Sequence, residues 1–437
     1  MTTTTHSELE LEAIRICQEL IRIPSVNFGD GKGDEKDVAA HVVKLLSEVG
    51  IESKTYESAP GRCNVIARIK GSNPNRPGLV VHGHLDVVPA NAADWSVDPF
   101  CGEIKDGFIW GRGAVDMKNM DAMIIATVRD WARTGYVPER DIVLAFFADE
   151  EAGSNFGSHY MVKNHPEVFA GCTEAVSEVG GFSVTVAGGK RLYLIETAEK
   201  GIHWMRLTAH GRAGHGSVMN DENALTRLAE AVSKIGNYTW PQRYSKTVKE
   251  FFKRVSEETG KPYDEKDLQP LLKEVGFAAR MIGATLQNTA NPTMLEAGYK
   301  ANVIPGAASA VIDGRFIPGF EDELNETIKS LIGPDITVET ITRDKALEFP
   351  FEGDLVEAMC NALIKEDSVA IPVPYVMSGG TDNKALADLG IIGYGFSPLK
   401  LDADFDFMAM FHGVDERVPV EGLTFGARVL KEFLENA

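Results

Sequence analysis

Cysteine is scarce and scattered in this chain. Cys17, Cys63, Cys101, Cys172 and Cys360 are an odd number, lie far apart and form no CxxC pair. A disulfide framework is therefore not expected, and a reducing cytoplasm is the default compartment. No apolar run reaches the ~18 residues of a membrane span, so no membrane partner is expected. Residues 1–8 lack a basic stretch followed by an apolar core, so no secretory leader is expected either. Positive charge is also short. Lys and Arg number 44 against 64 Asp and Glu, a net charge of -20, which argues against nucleic acid or an anionic surface as a partner.

The chain does have length, 437 residues with 44% apolar and 25% charged side chains. That is ordinary soluble composition and too long for one core, so two or three domains are expected. Residues 8–49 read as two helices, the second over 34–49. Strand-like runs follow at 64–69 and 78–82, then a helix after Asp116. Residues 142–148 form a continuous apolar run, as in a strand buried on both faces. This alternation predicts an α/β domain with a mostly parallel sheet and helices on both faces.

The pattern changes near Ala198 to Gly201. Residues 203–210 alternate like a half-exposed strand. A helix (223–235) and a charged helical stretch (245–282) follow. Strands at 294–303 and 308–316, a helix at 321–331 and a strand at 336–342 complete a β-α-β-β-α-β order, that of a ferredoxin-like motif with a helical insertion. The reading is a discontinuous domain over 1–198 and 346–437 with a second domain, 199–345, inserted into it. A helix (355–366), short strands (375–377 and 391–396) and a closing helix (420–434) return to the first pattern.

Residues that can hold metal stand where apolar runs end. His84 and Asp86 are two apart, so on an extended segment they share a face, and Asp86 can receive the second ring N–H of a metal-bound histidine. Asp116 ends a glycine-rich loop before a helix, where a carboxylate could bridge two cations. Glu150 and Glu151 end the apolar strand, where one could ligate metal while the other handles a proton. Glu178 ends another short strand, and His412 precedes the last helix. Singly, these are a hydrogen-bonded pair, a solvated strand end and a loop histidine. Together they fall outside the carboxyl ends of strands, where α/β sheets build sites. The mixed donors suit Zn²⁺ first, with Co²⁺ or Mn²⁺ as substitutes.

The stretch HGHLDVVP, with DWSVDPFCGEIKDGFIWGRGAVDMK after it, resembles the aminoacylase, carboxypeptidase S and succinyl-diaminopimelate desuccinylase superfamily of dinuclear zinc hydrolases. Its carboxypeptidase S and aminoacylase branch is the nearer one. The resemblance implies two metals per subunit, one held by His84, Asp116 and Glu178, the other by Asp116, Glu151 and His412. It implies Glu150 as general base and Asp86 as the partner orienting His84, with His82 outside the ligand set. The inserted domain would be a lid and dimerisation domain, with His215 stabilising the oxyanion across a homodimer interface. Asn302 and Arg315 would bind the substrate's carboxylate, and Gly379, Gly380 and Thr381 would line the pocket. Alternatives for these residues are a core-facing His215 and a structural Arg315–Asp313 pair.

The expected activity is hydrolysis of an amide bond beside an amino acid with a free carboxylate, in a small peptide or an N-acyl amino acid. A desuccinylase or deacetylase of a biosynthetic amino acid is the alternative. Two rivals stand further off: a (β/α)₈-barrel amidohydrolase, since His82-Gly83-His84 is an HxH, and a non-enzymatic metal-binding scaffold.

Overall fold

The computed structural model describes residues 6–29 and 31–437; the leader reading falls, for residues 1–5, outside them. The larger sheet has ten strands. Its centre is parallel: Ile142–Phe147, Gly78–His84, Cys172–Ser177 and Ile392–Gly395 run side by side. Its flanks are not. Ser53–Ala59 and Arg62–Ile69 pair antiparallel on one side. On the other, Arg191–Glu199 pairs antiparallel with Phe182–Thr185 and Leu347–Glu348, and parallel with Ala370–Met377. The sheet is therefore mixed rather than mostly parallel: hairpins join Ser53–Ala59 to Arg62–Ile69 and Phe182–Thr185 to Arg191–Glu199, and a hairpin pairs its strands antiparallel. It is an open sheet, which excludes the barrel rival.

Burial on both faces explains the continuous apolar runs. Leu79, Val81, Ile142 and Leu144 enter one core, shared with the helices Glu8–Ile21, Lys118–Thr134 and Val420–Asn436. Val80, Val143, Ala145 and Phe147 enter a second core on the opposite face, with Met161 and Phe169. Side chains alternating along each strand fill the two layers in turn.

The smaller sheet is four-stranded and antiparallel, in the order Thr289–Ala297, Ala307–Phe316, Gly201–His210, Ile336–Asp344. The helices Ala224–Gly236 and Glu321–Ile332 supply Leu228, Ile235, Leu324 and Ile328 to its own core. Three details depart from the sequence reading. The strand expected at 294–303 begins at Thr289 and stops at Ala297, where Gly298 takes a φ of 72°. Its proline, Pro292, is tolerated because the strand is an edge. The stretch 245–282 breaks into Lys246–Thr259, Gln269–Leu272 and Ala279–Gly283. Its buried face, Val248, Phe251, Phe252 and Val255, joins the core of the larger sheet, not that of the smaller one. Ala370–Met377 is longer than expected because Pro372 and Pro374 mask it. They occupy alternate positions on a strand paired only with Arg191–Glu199, so their missing N–H groups break no ladder bond.

Candidate metal centre and active site

His84 closes the strand Gly78–His84 and is buried. Its Nε2 lies 3.0 Å from Asp116 Oδ1 and 3.6 Å from Glu178 Oε2. The other oxygen of Asp116, Oδ2, is 3.2 Å from His412 Nε2, which is also 3.0 Å from Glu151 Oε2. Asp116 thus stands between two histidines, one oxygen toward each. His84, Asp116 and Glu178 form one group of donor atoms within 4.8 Å of each other, and Asp116, Glu151 and His412 form another.

Asp86 does more than face His84. His84 Nδ1 meets the Asp86 carbonyl at 3.0 Å, and the carboxylate lies at 3.6 Å. That carboxylate accepts from the backbone N–H of Glu150 (3.1 Å) and of Glu151 (3.2 Å), and from Asn27 Nδ2 (2.8 Å). It therefore fixes the turn that carries both glutamates. Asp149, just before them, has a φ of 67° and is held by Asn27 and Arg62. Val179 after Glu178 (φ 57°) and His412 itself (φ 58°) are also left-handed. Such backbone is costly for a β-branched or bulky residue and persists where the surroundings impose it.

A further buried pair organises the other two ligand loops. Glu416 accepts from Arg112 Nη1 at 2.6 Å and from the N–H groups of Gly113, Val115 and Asp116. Arg112 also donates to the His412 carbonyl at 3.3 Å. Asp382 accepts from Ser154 and Ser158 at 2.7 and 2.5 Å, tying the segment after Glu151 to the loop at 378–382. His82 turns away from the ligands, its Nε2 2.9 Å from Asn383 Oδ1, and burial lowers it to about 4. Between the two histidines only glycine fits, since a Cβ on Gly83 would stand 2.2 Å from Asp121 Oδ1.

Negative charge is crowded here. Burial, with the neighbouring acids, pushes Glu150 well above the usual carboxylate range and Glu151 and Glu178 up to about 7. Burial opposes charge on His84 too, but Glu178, Asp116 and Asp86 outweigh it and hold the ring well above its ordinary value. Hydrogen bonds to Asp116 and Glu151 raise His412 to about 10. Glu151 Oε1 is buried without a partner. Acids packed this closely are what a pair of divalent cations would neutralise, and the imidazole and carboxylate donors fit zinc-type ions.

The cavity at this site measures about 300 Å³. Asp116, Glu150, Glu151, Glu178 and His412 form its floor. Arg315, from the smaller sheet, faces it while pairing with Asp313 at 2.6 Å. Gly379 and Gly380 form part of the wall, whereas Thr381 is buried beside them and donates to Glu199. Val179, Met281, Met377, Met408 and Phe411 complete an apolar side. His215 and Asn302 are exposed and adjacent, on the short pairing of Gly214–His215 with Val303–Ile304, and neither lines the cavity. Sequence reasoning missed Glu416, Arg112, Asn27 and the methionine wall. The acid in Asp415-Glu416 was visible as a residue, but nothing local signalled its role.

The model of the family described as Peptidase family M20/M25/M40 matches residues 80–436. The chain is similar to N-fatty-acyl-amino acid synthase/hydrolase PM20D1 of Xenopus tropicalis, 26% identical over 448 residues, covering 95% of this chain and 84% of that protein. It is similar to Aminoacylase-1 of Sus scrofa, 26% identical over 422 residues, covering 94% and 91%. Among solved structures it resembles the M20 family metallo-carboxypeptidase Sso-CP2 from Sulfolobus solfataricus, with a TM-score of 0.73 and 19% identity, covering 97% of this chain and 99% of that one.

Proposed function

The chain belongs to peptidase family M20/M25/M40, and from that premise we propose that it hydrolyses the amide bond beside an amino acid whose carboxylate is free. The observation that carries this reading is Asp116 between His84 and His412, with Glu150 and Arg315 facing the same cavity. His84, Asp116 and Glu178 would hold one divalent ion and Asp116, Glu151 and His412 the other, zinc in the first place. When bound, the two ions polarise the amide carbonyl and make water acidic enough to attack near neutral pH.

The chain's own groups do the rest. Glu150 belongs to neither donor group, so its carboxylate is free to take a proton from the attacking water and deliver it to the leaving nitrogen. Asp86, by holding the N–H groups of Glu150 and Glu151, aims both side chains. Arg315 receives the substrate carboxylate, a task suited to its planar fork. The apolar side formed by Met281, Met377, Met408 and Phe411 favours an N-acyl amino acid with an apolar acyl group over a small polar dipeptide, because flexible thioethers adapt to alkyl chains.

The smaller sheet and its two helices are read as a ferredoxin-like lid and dimerisation domain. Met294, Leu295 and Tyr299 are exposed on or beside the edge strand Thr289–Ala297, a surface a second copy would cover. His215 and Asn302 lie outside the cavity of their own chain, which supports their acting in the partner's site, His215 on the tetrahedral oxyanion. No helix among the described residues is long and apolar enough to cross a membrane. The free cysteines favour a reducing cytoplasm.

The test is release of free amino acid from N-acyl amino acids, dipeptides and carboxypeptidase substrates by zinc-loaded protein, each compared with its C-terminal amide. Cleavage lost on amidation supports the reading. Equal cleavage of the amides removes Arg315 from it, and no cleavage of any substrate favours the non-enzymatic scaffold.

A further inference from the structure

The chain passes from the larger sheet into the smaller one at Lys200, between Arg191–Glu199 and Gly201–His210. It returns between Ile336–Asp344 and Leu347–Glu348. One buried side chain touches both crossings. Lys384 Nζ donates to the Lys200 carbonyl at 2.8 Å and to the Lys345 carbonyl at 2.7 Å. It also lies 3.3 Å from Glu199 Oε2, with both side chains almost fully buried. Glu199 in turn accepts from the N–H of Thr381 at 3.0 Å and from its hydroxyl at 2.6 Å. The loop that supplies Gly379 and Gly380 to the cavity is thus tied to the hinge between the two sheets.

Arg315 is reached from the same point. Its strand neighbours are Ile202 on one side and Thr289 on the other. A Cβ on Gly380 would come 3.5 Å from Ile202 Cδ1 and only 2.3 Å from Lys384 Cε, so the absence of a side chain at 380 lets the lysine pass beneath the loop. Lys200 Nζ donates to the carbonyls of Ala284 (3.0 Å) and Gln287 (2.8 Å), and meets Thr289 Oγ1 at 3.4 Å. A third crossing is fixed to the same junction in this way. Burying two lysine amino groups is expensive unless each is fully hydrogen-bonded, and here main-chain carbonyls at the crossings supply most of the partners, with Glu199 and the Thr289 hydroxyl completing them.

We propose that Lys384 is a positioning residue. It sets how far Arg315, on the smaller sheet, stands from the Gly379–Gly380 wall, in the loop after Ala370–Met377 of the larger one, and thereby how the substrate carboxylate is received. This rests on the reading of Arg315 as the carboxylate's partner.

The experiment compares kcat and KM for an N-acyl amino acid and its C-terminal amide in zinc-loaded wild type, Lys384→Met, Arg315→Met and the double variant, with zinc content measured for each. Lys384→Met is expected to lose about tenfold in kcat/KM on the acid, mostly through KM, and less than about twofold on the amide. Zinc content stays at the wild-type level, and adding Lys384→Met to Arg315→Met costs little more, as for residues acting through one another. Equal losses on acid and amide, or losses that simply add, overturn the proposal. Should Lys384→Met fail to fold, Thr381→Val keeps the lysine and cuts the hydroxyl tie to Glu199. It is expected to show the same acid-selective loss at smaller size, and its absence there overturns the proposal. Wild type that cleaves acid and amide alike strikes down the Arg315 reading and the proposal with it. That result is distinct from failure of the proposal alone, in which wild type discriminates and Lys384→Met discriminates equally well.

Discussion

Arg112 and Glu416 form a buried ion pair at 2.6 Å, and between them they hold the loop that carries Asp116 and the loop that carries His412. Neither residue faces the cavity. Their pairing makes the geometry of two ligands depend on one contact.

Glu416→Ala strands the Arg112 guanidinium in the interior. Breaking a buried pair on one side costs about 3–5 kcal/mol, so thermal unfolding should move markedly lower. Zinc should also be held less tightly, because Asp116 loses the acceptor of its N–H. Calorimetry and zinc titration check both, and an unchanged zinc affinity would contradict the coupling of the two loops.

Glu150→Gln keeps the shape of the side chain and removes its basicity. Since general base catalysis contributes about 10²–10⁴-fold, kcat should fall within that range. Zinc content should not change, because Glu150 lies in neither donor group. Loss of metal together with activity would move Glu150 into the ligand set.

Metal removal should make stability fall as pH rises. In the metal-free protein Glu151 and Glu178 sit near 7, above the ordinary 4.5. A raised folded-state value contributes stability below 4.5 that is lost as pH climbs through 7. His412 has the same sign: its contribution is complete below 6.5 and lost through about 10. Bound cations favour the deprotonated ligands, so the gap in Tm between zinc-loaded and metal-free protein should widen from pH 5, near the lower edge of the carboxylate window, to pH 8, about a unit above its upper edge. A gap that is flat or narrows would show that these groups do not meet the metal.

Met281→Asp places a charge in the apolar side of the cavity. The preference for a long apolar acyl group over acetyl should drop by about tenfold or more, since each methylene in an apolar pocket is worth about 1–3 kcal/mol. Cleavage of the acetyl substrate serves as the control. An unaltered chain-length profile would mean that the acyl group leaves by another path.

What could be read from the sequence was what is local. His84 closes its strand, Glu178 directly follows Cys172–Ser177 and Glu150 stands three residues beyond Phe147, so each strand fixes where its ligand or base emerges. The β-α-β-β-α-β order was likewise visible from periodicity. Three things depended on distant partners. Arg62–Ile69 lies antiparallel to Ile142–Phe147, and Arg191–Glu199 to Leu347–Glu348, segments far from them along the chain. Pro372 and Pro374 hide a strand whose free edge tolerates them. Met281 is 8% exposed and belongs to the cavity only because the helical stretch around it folds onto the larger core. Lys384 and Glu416 carry no local signature at all, since the partners of Lys384 lie 39 and 184 residues away along the chain and those of Glu416 about 300.

The helical stretch over 246–283 leaves the smaller sheet, packs Val248, Phe251, Phe252 and Val255 on the larger core, and returns. The two units therefore cannot be separated by cutting the polypeptide at two places. A fragment excised at Lys200 and Lys345 would carry those aromatic and aliphatic side chains into water, with their natural covering left behind. Such a fragment should be prone to self-association, and the severed remainder should show a matching bare patch.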